Sequence, residues 1–204
     1  MVCLEILLGM LFLAYVSAEI SVGVKEGDWI EYKITLNGAI PEEHNVEWAR
    51  FEVLAVEGKT IEVNITSRFT TGTENTETST LNLETGQIGD AFIIPANLNN
   101  GEAFLEQYEG TITISGVEEK TYAGAKRNVV YATTSHTKYY WDKPTGVLVE
   151  GISTYSDFTL TTKAEKTNMW QPEKFGLNPT VFIALIATLI AAILAIFFIL
   201  KMRG

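Results

Sequence analysis

Apolar residues recur at every second position through most of the chain between residues 29 and 167. From 181 to 200 they run with one interruption, Thr188. Residues 29–36 (WIEYKITL) put Ile30, Tyr32, Ile34 and Leu36 on one face and Glu31, Lys33 and Thr35 on the other. A period of two belongs to a strand with one buried face. Residues 46–56 (VEWARFEVLAV) continue the pattern, with a one-residue slip at Ala49-Arg50 that predicts a β-bulge there. Thr60–Phe69 (TIEVNITSRF) alternates again after the turn signal Glu57-Gly58-Lys59. These three runs predict an antiparallel meander. Residues 70–80 hold no large apolar side chain and predict a loop or hairpin tip. Residues 101–108 are the one stretch outside the last run that predicts a helix, and a short one. Further strands are expected at 111–115, 120–134, 138–141, 147–155 and 158–167, with no internal repeat. Asp142-Lys143-Pro144-Thr145-Gly146 is a five-residue turn in which Pro fixes one φ and Gly allows a positive one.

The run 181–200 (VFIALIATLIAAILAIFFIL) has no charge, and Thr188 is its one polar residue. At about 1.5 Å per residue it spans roughly 30 Å, the thickness of a bilayer's apolar core. It predicts a transmembrane helix. Lys201 and Arg203 follow it, and positive flanks stay in the cytoplasm, so the preceding domain is expected outside the cell. An earlier apolar run, 6–16, followed by Ser17-Ala18, fits a secretory signal cleaved after Ala18, although residues 1–5 lack Lys and Arg. The expected organisation is a signal peptide at 1–18, a β-rich extracytoplasmic domain at 19–168, a stalk at 169–179, a membrane helix at 180–200 and a cytoplasmic tail at 201–204. Trp170 and Phe175 in the stalk are expected near the lipid headgroups. Ala184, Ala187, Thr188, Ala191, Ala192 and Ala195 form a small-residue stripe, and Ala187, Ala191 and Ala195 are a candidate helix–helix interface.

Charge narrows the partners. The chain carries 25 acidic and 15 basic residues, a net charge of −10. That balance opposes nucleic acid and anionic surfaces, both polyanions. The expected partners are the lipid bilayer, through the helix, and other envelope proteins or the chain itself. Cys3, the one cysteine, lies in the signal, so the exported domain has neither thiol nor disulfide, which points to a prokaryotic surface protein.

Catalytic chemistry is scarcely represented. His44 and His136 belong to no metal-ligand spacing, and no cofactor is expected. Ser135-His136 would point to opposite faces of a strand, the wrong geometry for a triad. No nucleophile elbow, phosphate loop or calcium loop occurs. A carboxylate pair of the glycosidase kind is the remaining, disfavoured, enzymatic option. Asn64-Ile65-Thr66 is an acceptor sequon, making Asn64 a candidate glycan site, while Asn178-Pro179-Thr180 is blocked by its proline. Tyr139, Tyr140 and Trp141 either pack across strands or line a cavity.

The opening Gly23-Val24-Lys25-Glu26-Gly27-Asp28-Trp29-Ile30-Glu31-Tyr32 and the closing Tyr139-Tyr140-Trp141-Asp142-Lys143-Pro144-Thr145-Gly146-Val147-Leu148 resemble uncharacterised archaeal cell-surface proteins. The closing hairpin is also similar to one in the curved-sheet lipoprotein carriers of the LolA and LppX type. The first resemblance implies a single-pass protein with a β ectodomain. The second implies an open half-barrel that holds an apolar ligand. The chain lacks the amphipathic lid helices of those carriers. The expected fold is thus mainly β, an antiparallel curved sheet or half-barrel with one C-terminal transmembrane helix. Its expected role is non-catalytic, in binding or structure at the cell surface, with carriage or sensing of an apolar ligand as the alternative.

Overall fold

The structure, a computed structural model, describes residues 20–39, 45–87, 91–173, 176–177 and 179–203, with side chains of the last segment to 194. Eleven strands precede one helix among them. The strands are β1 (Trp29–Gly38), β2 (Val46–Glu57), β3 (Thr60–Phe69), β4 (Glu74–Asn82), β5 (Ala103–Glu106), β6 (Gly110–Thr113), β7 (Gly116–Tyr122), β8 (Ala125–Thr133), β9 (Thr137–Asp142), β10 (Leu148–Thr154) and β11 (Phe158–Thr167). The helix is α1 (Pro179–Arg203). Nine strands form one open antiparallel sheet in the order β4-β3-β2-β1-β11-β10-β9-β8-β7, and β5 pairs with β6 apart from it. The first and last strands meet in the middle, where β1 pairs with β11.

Register explains the buried face. Ile30 lies opposite Phe51 and Tyr32 opposite Ala49, so the apolar sets of β1 and β2 coincide. Val53 opposes Val63, and Ile61 opposes Leu81, which carries that face to β4. On the other side Tyr32 opposes Ala164, and Val130 opposes Trp141. The segment from Ala91 to Leu98 lies across this face and plugs it. Ile93 bridges Val147, Leu148 N donates to Phe92 O (2.8 Å), and Ile94 N donates to Gly146 O (2.9 Å). Gly146 has φ +73°, and a Cβ there would strike the Ile94 carbonyl, so glycine lets the plug sit on the hairpin. Trp141, fully buried, donates its indole N–H to Ala91 O at 2.6 Å and meets Phe104 edge-on at 5.5 Å. Each such buried side chain contributes about 1.5–3 kcal/mol.

Several expectations need correction. Residues 70–80 are not a loop: most belong to β4, an edge strand. Its Thr-rich sequence reflects water on both sides for most of its length. Residues 101–108 are not helical. Phe104 and Glu106 face inward and Leu105 outward, the period of β5. The run 120–134 is two strands, because Ala123 (φ +46°) and Gly124 (φ +76°) make a two-residue turn. The bulge expected at Ala49-Arg50 is absent there. The register shifts instead between Val46 and Trp48 and between Val53 and Ala55. Trp170 is not at a headgroup position. It is 8% exposed, donates to Tyr122 O at 3.1 Å and lies under the Arg127 guanidinium at 4.5 Å.

Among the described residues no helix is long and apolar enough to cross a membrane.

Candidate functional site

The sheet opens at one end. β1 pairs with β2 as far as Lys33 opposite Trp48, and beyond that point it continues against β11 alone. β2 meanwhile follows β3, with Val46 opposite Phe69. Glu47 is the extra residue of the bulge between Val46 and Trp48, and it bends the start of β2 away from β1. The strands part and leave an open cleft of about 510 Å³. Ile34, Leu36 and Trp48 supply its apolar surface; Lys33, Glu47 and Glu165 supply charge. Ile34 and Leu36 belong to the core-facing set of β1 but are only half-buried there, because the plug 91–98 reaches the other end of the strand. Trp48 is held from outside by Arg68, whose guanidinium sits 4.7 Å from the ring centre.

Beneath the sheet, beside the plug, there is little room. The void beside Val24, Ile30, Phe51 and Ile93 is about 10 Å³, room for one water molecule at most. The splayed end offers far more room than this void; a second open recess, of about 300 Å³, lies beside Arg127, Trp170 and Glu173.

A polar cluster occupies the opposite face of β7 to β11, where β7 comes back close to β11. Tyr122 Oη donates to Glu150 Oε2 at 2.7 Å. Lys120 Nζ lies 3.5 Å from the same oxygen, and Lys163 Nζ 3.7 Å from Glu150 Oε1. Lys120 Nζ also stands 3.5 Å from the centre of the Tyr140 ring, with Lys138 at 4.9 Å. Burial first, and then the Glu150 hydrogen bond, push the Tyr122 hydroxyl well above the usual tyrosine range. Burial lowers the Lys120 ammonium, but its Tyr140, Glu150 and Glu118 neighbours outweigh that and leave it raised. Lys138 is raised chiefly by its hydrogen bond with Tyr140. The cluster ties β7 to β10 and β11, a structural duty.

The residues singled out in the sequence fall in separate places. Trp141 packs in the core, Tyr140 lies on the opposite face in the lysine cluster, and Tyr139 stacks on Trp141 at 5.2 Å; none of the three lines the cleft. Asn64, on β3, accepts from Thr78 Oγ1 at 2.7 Å. His136 sits in the β8–β9 turn and stacks on Tyr155 at 6.0 Å. His44 lies outside the described residues, as do Phe175 and the side chain of Ala195. Ala187 and Ala191 are exposed on α1. Among the described residues no His, Cys, Asp or Glu group is placed to hold a metal ion. The Asp142 turn is structural: its buried carboxylate accepts from Arg127 Nε (2.7 Å), Arg127 Nη2 (3.1 Å), Thr145 N (3.2 Å) and Thr145 Oγ1 (2.7 Å).

Sequence reasoning missed the cleft. Its residues were visible as strand positions, but the signal for it, an apolar face continuing past the point where the partner strand bends off, requires the register.

No family model matches the chain, and no curated protein matches it. Among solved structures it is similar to the siderocalin Ex-FABP, described as functioning through dual ligand specificities. The two are 10% identical, the match covers 78% of this chain and 80% of that one, and the TM-score is 0.27. A score that low does not equate the two folds.

Proposed function

We propose that this chain is a membrane-tethered, non-catalytic β module that holds a small ligand with an apolar part in the cleft between β1 and β2. The observation that carries the reading is the cleft itself. Its roughly 510 Å³ falls within the range of about 300–1,000 Å³ common to small-molecule sites. Ile34, Leu36 and Trp48 offer apolar surface that water wets poorly, and Lys33, Glu47 and Glu165 offer polar contacts for one end of a ligand. The tether rests on the sequence of 181–200, and α1 is 25 residues long. The exported side is then the domain, on the surface of a prokaryotic cell. β11 ends close to the start of β1, so the tether leaves from the Trp29 end and the cleft opens at the other.

Photolabelling tests the site. A diazirine-bearing medium-chain fatty acid, added to the full chain in nanodiscs, is expected to label peptides covering residues 33–36 and 46–48. Leu36→Asp should abolish that labelling and Trp48→Ala should lower it severalfold. Labelling that ignores Leu36→Asp, or that avoids these peptides, would sink the proposal.

A further inference from the structure

β4 ends the sheet on one side, and among the described residues no strand lies beyond it. Its register with β3 tells which backbone groups face out. Phe69 N donates to Thr73 O at 2.9 Å, and Leu83 N to Lys59 O at 3.1 Å. Bonded pairs alternate between those two points, so Asn75, Glu77, Ser79 and Leu81 give their backbone groups to β3. Glu74, Thr76, Thr78 and Thr80 direct theirs away from it. Asn82 shares this phase, since its N–H crosses the outer edge to Gln87 O at 2.6 Å.

Long edges are normally blunted by lysine, proline or a bulge. β4 (ENTETSTLN) has no lysine and no proline, its only charges are Glu74 and Glu77, and it pairs with β3 along nine residues without a shift. The other edge, β7, carries Glu118, Glu119 and Lys120 and lies close to β11.

We infer that the β4 edge docks a second copy of this chain, strand against strand and antiparallel, to make one continuous sheet. The strand is complementary to itself. With Thr78 opposite its own copy, Thr76 faces Thr80, Glu74 faces Asn82 and Glu77 faces Ser79. The outward groups of Thr76, Thr78 and Thr80 then all meet outward groups, threonines pair with threonines, and no carboxylate opposes another. A slide of two residues one way sets Glu77 against Glu77. A slide the other way sets Asn82, whose N–H is already bonded, against Thr76 and leaves only Thr78 and Thr80 to meet free outward groups. In the Thr78-centred register Asn82 meets Glu74 at the two ends, and all three threonines stay free to pair.

The geometry also suits two copies in one bilayer. The two-fold axis of such a pair stands normal to the joined edges. Each strand step turns by about 20–25°, so the four steps from β4 to β11 turn about a right angle and bring β11 near that axis. Both copies of β11 then head the same way, so that a tether following each would reach one bilayer. This last point rests on the tethered reading; the edge pairing depends on neither the tether nor the ligand cleft.

Sedimentation equilibrium of the full chain in detergent micelles tests it. The native chain and Thr78→Ala, which keeps the backbone edge, are expected to be dimers. Thr78→Pro is expected to be monomeric, because its lost N–H points away from β3 and the fold keeps its own ladder. Thr76→Lys combined with Thr80→Lys, which sets ammonium groups against each other across the join, should also be monomeric. A native chain monomeric at every concentration, or dimers in both monomerising variants, would overturn the inference. Ala187→Ile/Ala191→Ile/Ala195→Ile should leave the dimer intact; its loss would assign association to α1 instead. A chain that sediments freely without detergent would remove the tether and leave the edge result standing.

Discussion

Tyr122 and Tyr32 give the fold a response to alkali. Tyr32 is fully buried with its hydroxyl on Leu148 O at 2.8 Å, and Tyr122 bonds Glu150; burial raises both above the ordinary value of about 10. Below that value both residues keep their protons whether the chain is folded or not. Above it the unfolded chain releases protons that the fold retains, so stability falls by about 1.4 kcal/mol per pH unit for each tyrosine. Lys120, also raised, acts in the same sense: its contribution is whole below its unfolded value and is lost as pH climbs through the folded one. Tyr122→Phe should therefore make the fall above about pH 10 shallower by about 1.4 kcal/mol per unit. It should also cost about 1–3 kcal/mol at neutral pH, because Glu150 loses a donor. Urea unfolding measured from neutral pH upward checks both, and an unchanged slope would refute the assignment.

At the level of elements, legibility followed how one-sided each segment is. β3 and β11 were readable to their ends because one face of each is apolar and the other polar along most of the strand. β4 was not, since a strand wetted on both sides has no hydrophobic period to display. β5 has four residues, too few to separate a period of two from one of 3.6. The plug 91–98 has no period because its contacts alternate between hairpin backbone and core. Its importance shows only in the structure: Ile93 is completely buried against Val147 and the sheet. Ile93→Ala should lower stability by about 2–5 kcal/mol. It should also enlarge the small void beside Val24 and Phe51, readable as new xenon or benzene binding in a crystal. A loss below about 1 kcal/mol would mean that the plug is dispensable to the core.

For the molecule as a whole, the arrangement joins a filled β domain to an apolar C-terminal run by a short connection. Trp170 belongs to the domain, since its indole is bonded to Tyr122 O, and α1 begins at Pro179. Glu173 is still bonded to the domain, accepting from Lys126 N at 3.4 Å and donating its N–H to Gly124 O at 2.8 Å, so few residues separate the domain from the helix, and the domain should sit close against the surface of whatever holds that helix. If the proposed tether holds, with Lys201 and Arg203 on the inner side, protease added to intact cells should remove the domain preceding the helix and leave the C-terminal tail protected. The close seat makes the expectation sharper. Cleavage should be slow within β1–β3 and β8–β11, whose backbone bonds are committed to the ladder, and faster on the cleft side at the exposed β3–β4 turn around Thr71-Gly72. A tag placed after Gly204 should resist digestion until the membrane is permeabilised. Digestion of the tag with an intact domain would reverse the orientation. A chain released whole into the soluble fraction would remove the tether and leave the cleft and the β4 edge to be judged on their own.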